Sequence, residues 1–327
     1  MRNSVRLFVG LIIGGLLFYL VIAGIDWDKV QTALVESDYR YIPAILLLVA
    51  GHYLVKGMRW HALLHDKVPV TPWFAVRATN VTFFFNNLLP ARVGELARPW
   101  LLTYRYPQTP FSFALATALG DKIFDLLFGV CALLLAMLTL TLPTEARIAI
   151  VVISVLVAMG ISVGWVAAWW HKREELQPEN ERRLLIFLSR WGKWGDKAYR
   201  FTLNFAAGVA TLASFKRFML GALWMVISSL FLLFSAVLTL KMFGIEGSFY
   251  HCLFIWGMTG LGLAIPSAPT NAGSFHFFAT KAILFLGLAS AEAAFSFALI
   301  SHISQVLVIT VLGLISMPGL EVKRIWK

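Results

Sequence analysis

What most constrains this chain is a series of apolar runs, each long enough to cross a lipid bilayer as a helix. A hydrocarbon core about 30 Å thick needs roughly 20 apolar residues in a row. Six stretches qualify: about 6–25, 41–60, 120–142, 147–170, 218–240 and 293–317. Two further regions, about 73–101 and 249–288, are apolar but interrupted by prolines, glycines and polar residues. Composition agrees, since 59% of the 327 residues are apolar or aromatic and only 14% are charged, against about 25% in a soluble domain. A water-facing surface cannot be assembled from that. The expected fold class is therefore an all-α polytopic membrane protein. An extramembrane catalytic domain is excluded too, because the longest polar stretch, about 171–217, is itself periodic in apolar residues.

Both cysteines, Cys131 and Cys252, fall inside apolar runs. That excludes a disulfide framework and a cysteine-based zinc site, and leaves the redox compartment open. A net charge of +11 would suggest nucleic acid for a soluble chain, but here the positive-inside rule accounts for it, with anionic lipid headgroups as the local partner and no nucleic acid. The first run follows Arg2 and Arg6 as a signal peptide would. At 19 residues, 7–25, it is too long for one and lacks a small-residue cleavage site, so it reads as a retained span.

Orientation follows from the Lys and Arg residues. With the N-terminus in the cytoplasm, inside segments hold 22 of the 28 and outside segments only Lys29, Arg40, Arg147 and Lys241. This puts both termini on the inner face of the cytoplasmic membrane. It works only if each interrupted region enters and leaves on one side. The first would be a re-entrant hairpin from the cytoplasm and the second one from outside, an inverted pair pointing to a transporter-like midplane site. The alternative is that one or both contain short full spans. The chain then reads as one membrane domain of two halves, 1–170 and 218–327, joined by a cytoplasmic linker, 171–217. Within 181–213, apolar residues at helical spacing face a basic row including Arg190, Lys193, Lys197 and Arg200. That describes amphipathic helices on the inner leaflet, acting as a headgroup sensor or simply as an anchored topogenic loop.

The first interrupted region reads Asn86-Asn87-Leu88-Leu89-Pro90-Ala91-Arg92-Val93-Gly94-Glu95-Leu96-Ala97-Arg98. Pro90 disfavours helix at Leu89 and should break the incoming segment. If a helix restarts over 92–98, Arg92, Glu95 and Arg98 share a face. Two guanidiniums held by one carboxylate leave net positive charge, and arginine forks match phosphate oxygens; Asn86 and Asn87 add neutral donors. Asp121 and Asp125 then share a face of the next span at i, i+4. Ionisable groups there pair or face a cavity, and Arg92 and Arg98 are the natural partners. The two aspartates either neutralise those arginines or couple transport to protons. Lys122 points off that face and would snorkel.

The second interrupted region reads Pro266-Ser267-Ala268-Pro269-Thr270-Asn271-Ala272-Gly273-Ser274-Phe275-His276. A half-helix starting near Asn271 would aim its N–H groups and positive dipole end at an anion. Ser267, Thr270, Asn271 and Ser274 are candidate headgroup ligands. Of the downstream groups, His276 is the one that titrates near neutral pH when unperturbed, and its role is either functional or structural. Pro90, Gly94, Pro266, Pro269 and Gly273 are expected to set the turns. His61 and His65 beside Asp66 have metal-ligand spacing but no third ligand. No phosphate-binding glycine loop, catalytic triad order or zinc-protease motif is present. No catalytic site, metal or cofactor is expected.

Taken together, 86–98 with Asp121-Lys122-x-x-Asp125 resembles the signature of the lysylphosphatidylglycerol synthase transmembrane, or flippase-like, family, in which Leu-Leu-Pro-x-Arg-x-Gly-Glu-x-x-Arg precedes an apolar helix opening with charges. The stretch from Pro266 to His276 resembles that family's second signature, with Thr270 in place of the usual glycine and Ser274 in place of threonine. The resemblance covers nearly the whole chain, as a stand-alone member without the synthase domain. It implies translocation of anionic phospholipid or polyprenyl-phosphate-linked lipid rather than aminoacyl transfer. It also implies roles for Pro90, Arg92, Gly94, Glu95, Arg98, Asp121, Asp125, Pro266, Pro269, Gly273 and His276. A second class of function is a non-transporting accessory that holds a lipid-linked intermediate for a membrane glycosyltransferase partner. A third, an intramembrane enzyme on lipid phosphates, would need Asp121, Asp125 or His276 as nucleophile or base.

Overall fold

The structure, a computed structural model, describes residues 2–64, 67–174, 192–263 and 269–322. Among these residues every regular element is helical. The helices are α1 (Arg2–Ile22), α2 (Trp27–Val35), α3 (Ile42–Leu64), α4 (Pro72–Leu88), α5 (Ala97–Arg105), α6 (Phe111–Thr139), α7 (Thr144–Glu174), α8 (Gly192–Val209), α9 (Phe215–Met242), α10 (Phe249–Gly262), α11 (Ala272–Phe285) and α12 (Ala291–Ser316).

Five segments are long and apolar enough to cross a membrane: Tyr39–Leu64, Phe111–Thr139, Thr144–Ser162, Phe215–Met242 and Ala291–Ser316. They coincide with five of the six expected spans. The sixth is α1, whose apolar part in the described residues is the shorter Ile12–Ile22. Helix α1 itself runs for 21 residues, a length that spans a bilayer core. The interrupted regions form helix–break–helix pairs, α4/α5 and α10/α11, whose members of 9 to 17 residues are each shorter than a span.

Local chemistry explains where these helices begin and end. Thr71 caps α4, its Oγ accepting from the Phe74 N–H at 3.2 Å, with Pro72 preset for the first turn. Leu89, which precedes Pro90, is extended at φ −104° and ψ 141°, as a residue before proline must be. That ends α4. Ser290 caps α12 and Asp26 caps α2 in the same manner. Just before the Tyr39–Leu64 span, Asp38 is bound by the Arg40 side chain, which holds its carboxyl below the ordinary carboxylate range.

The contacts of α4/α5 and α10/α11 correspond. Helix α4 lies on α12 as α10 lies on α6; α5 lies on α6 as α11 lies on α12; and α3 meets α9 between them. Side chains lock this arrangement: Arg77 of α4 donates from Nε to the Ser316 carbonyl at 3.0 Å and from Nη2 to the Pro318 carbonyl, while Asn80 Nδ2 donates to Ser316 Oγ. The two arginine bonds satisfy carbonyls at and just past the end of α12, where helical partners run out. The amphipathic segment expected over 181–213 is described only from 192, where α8 packs on α6 and leaves Trp194 exposed.

Candidate functional site

Two features stand at the centre of the bundle: a buried ion-pair network, and the meeting point of the two breaks. The network begins with Asp121, on α6, which is 2% exposed. Its Oδ1 accepts from Arg59 Nε at 2.6 Å and its Oδ2 from Arg98 Nη1 at 3.0 Å. One turn on, Asp125 accepts from Arg59 Nη2 at 2.9 Å and Lys56 Nζ at 3.1 Å. Arg59 and Arg98 lie over the rings of Phe124 and Trp60. Helix α3 brings Lys56 and Arg59 to one face because they are three residues apart.

Sequence reasoning counted Lys56 and Arg59 as inside-loop charges and missed this role. The available signal was two cations at i, i+3 within an apolar run, facing two aspartates that needed partners. Of the expected partners, Arg98 is present and Arg92 is not. Lys122 does not snorkel: its Nζ binds Glu95 Oε1 at 2.8 Å, and the same oxygen accepts from Asn86 Nδ2 at 2.8 Å. Four cations (Lys56, Arg59, Arg98, Lys122) thus face three carboxylates (Glu95, Asp121, Asp125), leaving one net positive charge. Removing one partner of a buried pair strands a charge at a cost of about 3–5 kcal/mol, so this network fixes the register of α3, α5 and α6.

The expected helix over 92–98 does not form, which separates Arg92 from Arg98. Residues Pro90–Leu96 form a 3-10 turn, and Arg92 within it is left-handed at φ 54°. That reversal takes Arg92 away from Glu95 and Arg98 toward the second break. Its Nη2 donates to the Leu263 carbonyl and, at 3.1 Å, to Asn271 Oδ1. Glu95 holds Arg98 only loosely, at 3.9 Å. Gly94 permits the fold-back: a Cβ there would sit 2.5 Å from the Asn86 amide nitrogen and 2.6 Å from the Thr82 carbonyl.

The second break mirrors the first. Thr270 and Asn271 are left-handed at φ 62° and 57°, and α11 starts at Ala272, next to the expected position. Non-glycine residues in this region carry roughly 1–3 kcal/mol of strain each, persist where packing over-determines them, and cluster at functional sites. Here His302 of α12, which sequence reasoning also missed, binds the Thr270 carbonyl through Nε2 at 3.0 Å. Ser274 Oγ donates to the Asn271 carbonyl at 3.2 Å. Gly273 lies against the Gly14 backbone of α1, where a Cβ would collide with the carbonyl. His276 is 3% exposed and bonds the Ala272 carbonyl through Nδ1. Pro266 and Ser267 lie outside the described residues.

The breaks therefore bring together Asn86, Asn87, Arg92, Thr270, Asn271 and Ser274, and keep Arg98, Asp121 and Asp125 in the adjoining network. Buried and without partners among the described residues are Asn86 Oδ1 and Asn87 Nδ2. His61 Nε2 bonds the Val70 carbonyl at 3.0 Å; His65 and Asp66 lie outside the described residues. No group of three His, Cys, Asp or Glu side chains able to hold a metal occurs among the described residues.

No curated protein and no solved structure matches the chain. A family model described as "Lysylphosphatidylglycerol synthase TM region" does match, over residues 7–313. With that match covering nearly its full length, and with its all-helical membrane architecture, the chain belongs to the lysylphosphatidylglycerol synthase transmembrane family.

Proposed function

We propose that this protein moves an anionic lipid, an acidic phospholipid or a polyprenyl-phosphate-linked lipid, between the leaflets of the cytoplasmic membrane, with the headgroup passing along the joined breaks. The observation that carries the reading is the contact of Arg92, from the first break, with Leu263 and Asn271 at the second. Both breaks then border one polar path, and α4/α5 and α10/α11 are re-entrant pairs entering from opposite sides. Family membership supports a flippase-like role without specifying the lipid.

The two arginines expected to share a phosphate have different tasks in this reading. Arg98, 2% exposed and committed to Asp121, positions the network. Arg92 bonds through Nη2 alone among the described residues, so its other N–H groups, with Asn87 Nδ2 and the N-terminal amides of α11, receive the phosphate. Asp121 and Asp125 act as fixed counter-charges. No covalent chemistry on the lipid is assigned. Both termini are placed in the cytoplasm, because moving Lys56, Arg59 and Arg98 out of the inside count into the ion pairs reduces 22 only to 19 against four.

Reconstitution with fluorescent acidic phospholipids and polyprenyl phosphates tests the proposal through leaflet exchange. Arg92→Ala should slow exchange by at least about tenfold, the equivalent of roughly 1.4 kcal/mol in barrier height, with Arg92→Lys intermediate because a point charge replaces the fork. Exchange at the wild-type rate in Arg92→Ala would remove Arg92 from the path. Tight binding of these lipids without exchange would replace transport by the accessory role beside a glycosyltransferase.

A further inference from the structure

Two histidines meet beside the second break, and their hydrogen bonds define which nitrogens carry protons. His276 Nδ1 bonds the Ala272 carbonyl and His302 Nε2 bonds the Thr270 carbonyl. A carbonyl only accepts, so each of those nitrogens is N–H. In the neutral rings this leaves a lone pair on His276 Nε2 and another on His302 Nδ1. The ring centroids are 4.9 Å apart in an edge arrangement. His276 Nε2 is buried with no partner among the described residues, which is costly for a merely structural imidazole.

Aromatic rings surround the pair. Phe18, Phe275 and Phe295 lie with centroids 5.7, 6.0 and 5.7 Å from the His276 ring, and Phe275 stacks on His302 at 5.0 Å. Aromatic rings stabilise a positive charge that has left water. Helices α2, α3 and α4, which also pack on α12, carry Asp28, Lys29, Tyr53, Lys56 and Arg77. Helix α1 presents Phe18, with Tyr19 turned outward and exposed; α10 presents Trp256, with His251 at its opposite end; α12 presents His302 itself, with Glu292 near its start. Lys281, farther along α11, is exposed. From the first break, Arg92 reaches Asn271.

We propose that His276 and His302 form one shared proton-binding site, and that a proton held there is carried in linkage with the anionic headgroup. The proton comes from water and adds to one imidazole lone pair, forming one N–H bond and breaking none in the protein. Both anchoring bonds to Ala272 and Thr270 persist, because protonation only adds a donor. Two adjacent rings cannot both charge at low cost, so the pair takes a single proton with macroscopic behaviour belonging to both. The added charge lies next to the turn held by Arg92, so an anion there and a proton on the pair favour each other reciprocally. This assigns proton coupling to the histidine pair rather than to Asp121 and Asp125, which already have fixed cationic partners.

The proton site does not depend on the lipid-transport reading, and the first test is made without lipid substrate. Full-length protein labelled with 15N-histidine in neutral-lipid nanodiscs is titrated by NMR between about pH 5 and 8, the window in which histidine changes charge. The expected result is that the His276 and His302 signals move together through one protonation, and that His302→Gln leaves His276 titrating alone. Rings that keep their neutral tautomers throughout, or that titrate independently in the wild type, overturn the shared site. In the second test, proteoliposomes loaded with a pH dye and given dioctanoyl phosphatidylglycerol should acidify as lipid exchanges. His276→Gln should abolish the acidification while some exchange continues. Exchange in the wild type with no proton movement overturns the linkage even if the shared site stands. Absence of exchange for every lipid, with the NMR result intact, counts against the transport reading and not against the proton site.

Discussion

At the residue scale, the two aspartates of α6 look equivalent in sequence but occupy different positions in the network. Asp121 is 2% exposed and joins two arginines from different helices; Asp125 has 45% of its side chain exposed and is held by Lys56 and Arg59. Neutralising Asp121 leaves two buried guanidiniums short of charge, in surroundings where stranding one ion costs about 3–5 kcal/mol. Neutralising Asp125 leaves Arg59 with Asp121 and strands only Lys56, whose side chain is 11% exposed, a smaller loss of about 1–3 kcal/mol. Asp121→Asn should therefore lower the thermal unfolding midpoint in detergent far more than Asp125→Asn. Equal losses would show that the network is more open to water than its burial implies. A loop-based charge count hides Lys56 and Arg59 by assigning them to the inside segment, although the expected span of 41–60 contains both. In fact α3 runs to Leu64 and buries them.

At the element scale, the helices were legible wherever length and hydropathy sufficed, and the breaks only where proline fixed the backbone. Pro90 ends α4 as its chemistry requires, whereas the 3-10 path that follows depends on tertiary contact: Arg92 is left-handed because Leu263 and Asn271, some 170 residues away, take its guanidinium. No local pattern carries that information. For the same reason α6 begins at Phe111 rather than near 120; its first turns pack on α5 and α8 instead of lipid. Thr270 offers a direct measure of break geometry, because it adopts φ 62° where the family signature carries glycine. Thr270→Gly removes left-handed strain of about 1–2 kcal/mol and returns part of it, about 0.4–1 kcal/mol, as chain entropy of the unfolded state. The variant should unfold at a slightly higher temperature and keep the His302 bond to the carbonyl. A lower midpoint would mean that the threonine side chain, not the backbone, holds the turn.

At the scale of the whole molecule, the matching contacts of the two helix–break–helix pairs constrain how the chain lies in a bilayer. If α4/α5 and α10/α11 are re-entrant, the segments flanking each pair must face the same side, and the two pairs must face opposite sides. If either is a full span, its flanks face opposite sides and every later span inverts. Lys67 and Gln108 flank the first pair, Glu246 and Ala289 the second, and the first three are exposed. Single cysteines at these four positions, in a Cys131→Ala, Cys252→Ala background, can be probed in intact cells with a membrane-impermeant maleimide. Re-entrant pairs require Glu246→Cys and Ala289→Cys to label directly, and Lys67→Cys and Gln108→Cys only after permeabilisation. Labelling that separates Lys67 from Gln108, or Glu246 from Ala289, would convert that pair into a crossing. It would also place the meeting point of Arg92 and Asn271 away from the midplane. Such a result would end the inverted-pair reading while leaving the ion-pair network untouched, because its bonds are contacts within the fold and do not depend on which side the flanks of α4/α5 face.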